Sequence, residues 1–257
     1  MKKIYLCLAL LWSCWASAWA APAEVGVILM HGKNGHPKFP GLVAVAQALT
    51  DAGYVVASPV MPWSRDRQYD ADYPQALAQL DDLVADLKNK GVRKIILAGH
   101  SFGANAALAY ASRRDGVSGI ALMAPGHSPD IQESFFAASV KRAKTMLIDG
   151  KAEDIEVFDD SNQGRNSLIR TKARIYLSYF DPKGLGAMTQ TSAKVPADTA
   201  ALLIIGNSDP WAGRARAMIF DQMAANPHSR YVELISNHMN TPQDGINHFL
   251  AWLKIFD

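Results

Sequence analysis

Past the first two dozen residues, short and nearly unbroken apolar runs alternate with longer segments in which apolar positions recur every three or four residues. The short runs predict strands at Val25 to Met30, Val55 to Pro59, Lys94 to Ala98, Gly119 to Met123, Ala200 to Ile205 and Tyr231 to Ile235. They lack an apolar/polar alternation, which is the pattern of strands buried on both faces. Helices are expected at about Pro40 to Ala52, Pro74 to Lys90, Phe102 to Arg114, Arg214 to Ala225 and Pro242 to Phe256. The clearest is "YPQALAQLDDLVADLKNKG", where Leu77, Leu80, Leu83, Val84 and Leu87 share one face. Pro74 suits its first turn and Gly91 its stop. Strands and helices that alternate in this way predict an α/β fold, a mostly parallel central sheet with helices on both faces.

The segment Asp130 to Ala193 breaks the alternation. It carries helix-like patches around Gln132 to Leu147 and Asn166 to Tyr179 and a polar loop, "DDSNQGRNS". An inserted helical cap, at about 130–193, is expected between two strands of the sheet. No internal repeat or low-complexity tract appears, and a chain of 257 residues can bury one large core. One domain over 21–257, cap included, is the expectation.

The N-terminus has a different character: Lys2 and Lys3, an apolar run from Ile4 to Trp12, then small residues ending in Ala18-Trp19-Ala20. That order reads as a secretory signal cleaved after Ala20, which places the product in the periplasm or outside the cell. Leu11-Trp12-Ser13-Cys14 offers an alternative, lipid attachment at Cys14, although Trp12 stands where a small residue is expected. Cleavage after Ala20 would remove both cysteines, Cys7 and Cys14, and leave a thiol-free product. It would also bring the basic residues from 26 to 24, level with the 24 acidic ones. A balanced charge does not favour nucleic acid or an anionic membrane as partner. No later segment has the uninterrupted apolar length of a transmembrane helix.

Chemistry concentrates where the expected strands end. Gly99-His100-Ser101-Phe102-Gly103 falls between a strand and an alanine-rich helix. At such a corner the central residue is thrust out of the sheet edge on a strained backbone, and small neighbours keep the flanking chain clear of it. A serine hydroxyl is a weak nucleophile, so it needs a base and a group that orients the base. Asp209 follows "ALLIIG" and His238 follows "YVELIS", each at the carboxyl end of a strand, the edge where open α/β sheets bind ligands. Asp130, after an earlier strand, is the rival to Asp209 as orienter, and Asp209 could instead be a turn former before Pro210.

Taken together, Ser101, Asp209 and His238 stand in the chain order of the α/β-hydrolases, and the sequence resembles that fold family over nearly all of 21–257. The resemblance implies an oxyanion hole made by the backbone N–H of Phe102 and of Lys33, the residue after His31-Gly32. Lys33 and Asn34 stand where some lipases carry glycines, which leaves Asn34 as a rival donor and argues against bulky-ester lipase activity. His31 is expected to brace the oxyanion loop and His100 to pack beside the corner. His228 is expected in a surface turn, His248 in the last helix, and Asp244 in the first turn of that helix. Trp63, Tyr69 and His127 are candidates to touch substrate, with His36 also near the site mouth. The aromatics of "RIYLSYFDP" read as filling for the cap.

No HExxH, paired cysteines or phosphate loop is present, so neither a metal nor a cofactor is expected. The expected function is an exported serine hydrolase that cleaves a carboxylic ester of a small molecule, with a thioester or amide ranked behind the ester. The alternatives are a fold retained for binding without turnover, and a serine peptidase or amidase. They separate by turnover of esters and by assay on aminoacyl amides.

Overall fold

Each expected strand forms: β1 (Val25–Met30), β2 (Val55–Ala57), β3 (Lys94–His100), β4 (Gly119–Met123), β7 (Ala200–Gly206) and β8 (Arg230–Leu234), with β5 (Ile155–Asn162) and β6 (Arg165–Lys172) falling in the inserted segment. The computed structural model describes residues 24–257, so the leader and the Cys14 alternative lie outside the described residues. The six strands make one sheet in the order β2-β1-β3-β4-β7-β8, and every neighbouring pair is parallel. The chain runs outward from β1 to β2 and then returns to place β3 on the other side of β1. Between β1 and β3 the winding therefore reverses, and their carboxyl ends open a crevice. The pairing Met30↔Gly99 brings the loop at His31 level with the corner at Ser101.

Successive strand residues face opposite ways, and the chain fills both sides. Ile28, Met30, Ile95, Leu97, Leu122 and Leu203 point into one core with α2 (Tyr73–Asn89) and α3 (Phe102–Ala111). Val27, Leu29, Ile96, Ala98, Met123 and Ile204 point into the other, against α1 (Pro40–Asp51) and α9 (Ile246–Leu253). This two-sided burial explains why the strands show no alternation in the sequence. Helix α2 starts at a capping box, in which the Asp72 side chain accepts from Gln75 N–H and the Gln75 side chain accepts from Asp72 N–H. The stretch expected to close the chain as one helix is two, α8 (Thr241–Asp244) and α9, divided at Gly245. The expected Arg214 to Ala225 helix is α7 (Ala212–Met218) followed by a single 3-10 turn at Phe220–Gln222.

Between β4 and β7 come α4 (Glu133–Ile148), β5, β6, α5 (Ala173–Phe180) and α6 (Met188–Ser192). The insertion is thus mixed rather than helical. The loop expected at "DDSNQGRNS" is the tip of an antiparallel hairpin, and the first half of the expected Asn166 to Tyr179 helix is its second strand. Gln163 and Gly164 turn the chain with φ of 51° and 75°, positive at both central positions as a tight two-residue hairpin turn requires. The inward face of β5 carries Phe158 and Asp160, both fully buried. A carboxylate on the buried face hides the alternation that would have announced a strand. The insertion is fixed to the main body by Tyr73 N–H to Ser178 Oγ at 3.0 Å and Tyr179 O–H to the Ala71 carbonyl at 3.0 Å. Among the described residues, no helix is long and apolar enough to cross a membrane.

Candidate active site

Strand β3 ends and α3 begins at Ser101, whose φ of 55° and ψ of −114° lie outside the ordinary regions for a side-chain-bearing residue. Glycines make that corner possible. A Cβ at Gly99 would stand 2.1 Å from the Gly103 carbonyl carbon, and one at Gly103 would stand 2.5 Å from the Met30 carbonyl oxygen. The corner is held by Ser101 N–H to the Met123 carbonyl at 3.0 Å and by Gly126 N–H to the Ser101 carbonyl at 3.2 Å.

Two parallel neighbours supply the other members. Asp209 follows β7, its N–H donating to the Gly206 carbonyl at 2.9 Å, and His238 follows β8. Because β7 and β8 pair in register, their trailing loops lie side by side. His238 Nδ1–H donates to Asp209 Oδ2 at 2.7 Å, and the second Asp209 oxygen accepts Trp211 N–H at 2.8 Å. That fixes the ring so that Nε2 is the nitrogen free to accept a proton. Nε2 is buried and carries no hydrogen bond among the described residues, to Ser101 or any other group. Ser101 and His238 nevertheless face one spot: a Cβ on Gly126 would stand 2.9 Å from Ser101 Oγ and 3.7 Å from His238 Cε1.

The loop after β1 lies beside the serine, so that a Cβ on Gly32 would meet Ser101 Cβ at 3.0 Å. Asn34 N–H is already spent on the Trp63 carbonyl at 2.9 Å, which removes it as a rival oxyanion donor. Phe102, as the first residue of α3, has no intrahelical acceptor for its N–H. His31 braces the loop on both sides, with Nδ1–H donating to the Gly32 carbonyl at 2.8 Å and Nε2 accepting Met61 N–H at 3.0 Å. Burial pushes its pKa down to about 4, so the ring is neutral as that pattern demands. His100 sits behind the corner, its Nε2–H donating to the His238 carbonyl at 2.9 Å, with its pKa pushed down to about 3 by burial and by His238.

The Lys33 side chain turns away from solvent. Its Nζ meets Asp160 at 2.5 Å and donates to the Ser161 carbonyl at 3.0 Å, and it lies 5.1 Å from the centre of the Phe180 ring. Both charges of this pair are buried, and burial holds the Lys33 ammonium below its usual pKa despite the partner carboxylate. The bond ties the loop after β1 to the inserted hairpin. Hairpin residues Asn162 and Gln163 consequently overhang Ser101 and line two hollows on either side of it. One, of about 50 Å³, is walled by Lys33, Gly126, His127, Gln132, Trp211 and His238. The other, of about 230 Å³, runs past Gly32, His36, Phe39, Leu42 and Met239.

The remaining candidates fall into two groups. His127 lines the smaller hollow, with Nε2–H on the Tyr179 carbonyl at 2.9 Å, its pKa well below the usual value through burial. His36 lines the larger one and pairs with Asp66 at 3.1 Å. Trp63 and Tyr69 stand behind the site rather than in the walls of either hollow. Trp63 is fully buried, stacks on Phe102 at 4.7 Å and donates Nε1–H to the His31 carbonyl at 2.8 Å. Tyr69 packs edge-on against Tyr179 at 5.0 Å, with its hydroxyl buried and unpartnered among the described residues. Asp130 accepts from Ser128 and Thr189 and so serves the insertion. Asp244, in α8, accepts from Ser236 Oγ at 2.6 Å.

Sequence reasoning missed several participants. Gly126 leaves the space between serine and imidazole, and Asp160 anchors the hairpin. Asn105 is fully buried, accepts from Tyr73 O–H, and donates to the carbonyls of His127 and Gly186, which steadies the loop opposite Ser101. Its place one helical turn after Ser101 was the available signal. Among the described residues there is no cluster of three or more His, Cys, Asp or Glu able to hold a metal.

The fold resembles those of known proteins over most of the chain. The solved structure of a carboxyl esterase from Bacillus coagulans superposes with a TM-score of 0.67 at 14% identity, over 92% of this chain and 91% of that one. A monoacylglycerol lipase from Paleococcus ferrophilus gives 0.65 at 19% identity, over 92% and 96%. One of the metagenome-derived lipolytic enzymes LipS and LipT gives 0.63 at 16% identity, over 92% and 94%. Identities this low speak to the fold alone, and no curated protein sequence matches. The model of the alpha/beta hydrolase family, however, matches residues 27–244, from within β1 to the end of α8 and across every element of the site. The chain belongs to the alpha/beta hydrolase family.

Proposed function

We propose that the protein is an exported serine hydrolase that cleaves a carboxylic ester through an acyl-enzyme. The observation that carries this reading is the buried His238–Asp209 hydrogen bond of 2.7 Å at the rim where the strained Ser101 stands. Ser101 Oγ attacks the ester carbonyl as His238 Nε2 takes its proton, and Asp209 stabilises the imidazolium without itself becoming protonated. The oxyanion rests on the N–H groups of Phe102 and Lys33, each worth about 10²–10³ in rate for groups of this kind. His238 returns the proton to the leaving alcohol. Water then enters, gives its proton to His238 and releases the acid.

Purified protein is expected to take up a fluorophosphonate probe and to release acid from ethyl hexanoate, followed by titration. Ser101→Ala is expected to lose both, with turnover down by at least about 10³-fold. Equal labelling of the wild type and this variant, or labelling of neither, would dispose of the reading. Export is tested separately: the protein recovered outside the cytoplasm is expected to begin at Ala21 and carry no thiol. A lipid-modified Cys14 at the terminus would replace that route with anchoring.

A further inference from the structure

The two hollows beside Ser101 are unequal, and they meet the reacting atoms differently. A tetrahedral centre on Ser101 carries the serine oxygen, the oxyanion, the leaving oxygen and the acyl carbon. The leaving oxygen must come within hydrogen-bond reach of His238 Nε2 to receive its proton. His238 lines the 50 Å³ hollow and is absent from the walls of the 230 Å³ one. The alcohol half is therefore directed to the smaller hollow. With the oxyanion held by Phe102 and Lys33, the direction left for the acyl carbon is the larger hollow.

Size and lining agree with that division. At about 50 Å³ against 230 Å³, the smaller hollow suits the smaller half of the ester. Gln132, Ser161, Asn162 and Gln163 bring amide and hydroxyl groups to it. Phe39, Leu42 and Met239 give the larger one apolar walls. The hairpin tip is the partition between them, and Gln163 Nε2–H on Met239 Sδ, at 3.1 Å, holds it across the cleft.

We infer that the substrate is an ester joining an apolar acyl chain to a small, hydroxyl-bearing alcohol, with the alcohol seated against Gln132 and His127 and the acyl chain against Phe39 and Met239. This rests on the reading of Ser101 as nucleophile. In the reaction the Ser101 Oγ–carbon bond forms and the carbon–alkoxy bond breaks. The serine proton passes through His238 to the departing alcohol. Water later replaces Ser101 on the acyl carbon and restores the hydroxyl.

Two ester series test the assignment on the whole protein. In the first, hexanoate is joined to ethylene glycol, butanol or benzyl alcohol, and kcat/KM is expected to fall at least tenfold from the first to the last two. In the second, ethylene glycol is joined to acetate, butyrate or hexanoate, and kcat/KM is expected to rise by up to about fourfold per methylene. Gln132→Ala is expected to narrow the alcohol ranking and Phe39→Ala the acyl ranking. A preference for the bulky alcohols, or the two variants acting on each other's series, would overturn the assignment. Fluorophosphonate labelling of Ser101 separates the two failures. A labelled enzyme with a reversed ranking rejects this substrate class alone, and an unlabelled one rejects the nucleophile and this assignment with it.

Discussion

At the scale of single residues, the corner and its partners were readable because their chemistry is local. Gly99, Ser101 and Gly103 advertise a tight strand-to-helix turn, and Asp209 and His238 follow recognisable strand ends. Gly126 was invisible, since only the fold shows that a methyl there would press on Ser101 Oγ at 2.9 Å. Gly126→Ala is accordingly expected to cut kcat by at least tenfold while the thermal midpoint barely moves; an unchanged kcat would mean that the serine does not use that space. Asp209→Asn keeps the shape but offers His238 a different hydrogen-bonding partner, and a loss of about 10⁴ in kcat is expected at neutral pH. Steady-state kinetics on a short ester would show it, and wild-type turnover would remove Asp209 from the mechanism. Trp63 and Tyr69 illustrate the opposite limit. Their aromatic loop reads equally well as pocket wall or buried filler, and what decides is Trp63 Nε1–H reaching back to the His31 carbonyl.

At the scale of elements, the sheet and its flanking helices were legible and the insertion was only half so. Runs such as Ile95 to Ala98 declare buried strands by composition alone. The hairpin does not, because Asp160 occupies an inward position where a strand pattern requires an apolar residue. That carboxylate is tolerated through Lys33, 127 positions away in sequence yet 2.5 Å away in space. Lys33→Met leaves Asp160 buried and unpaired, at a cost of about 3–5 kcal/mol. Adding Asp160→Leu removes the orphan charge and is expected to recover most of that loss. Urea midpoints at constant slope measure both. Equal instability of the single and double variants would show that the ion pair is not the term that matters.

At the scale of the whole molecule, the alternating pattern foretold the layered architecture but not its response to acid. His31, His100 and His127 are all buried and held neutral, the first two with pKa pushed down to about 4 and about 3. Unfolded, each ring takes a proton below about pH 6.5, so the unfolded chain binds protons that the folded protein refuses. Stability is therefore full above that value and is lost as pH falls from about 6.5 towards 4, by on the order of 3 kcal/mol for His31 alone. Thermal midpoints are expected to hold level from pH 7.5 to about 6.5 and then to fall towards pH 4.5, with His31→Gln falling less steeply; a profile flat down to pH 4.5 would contradict the buried neutral rings. The interior bond between Lys33 and Asp160 has one more outcome. Grafting this hairpin onto a relative, or receiving a relative's in its place, exchanges one half of a matched set, so the segment is no portable cassette. An engineer or a recombination event must carry both ends across together.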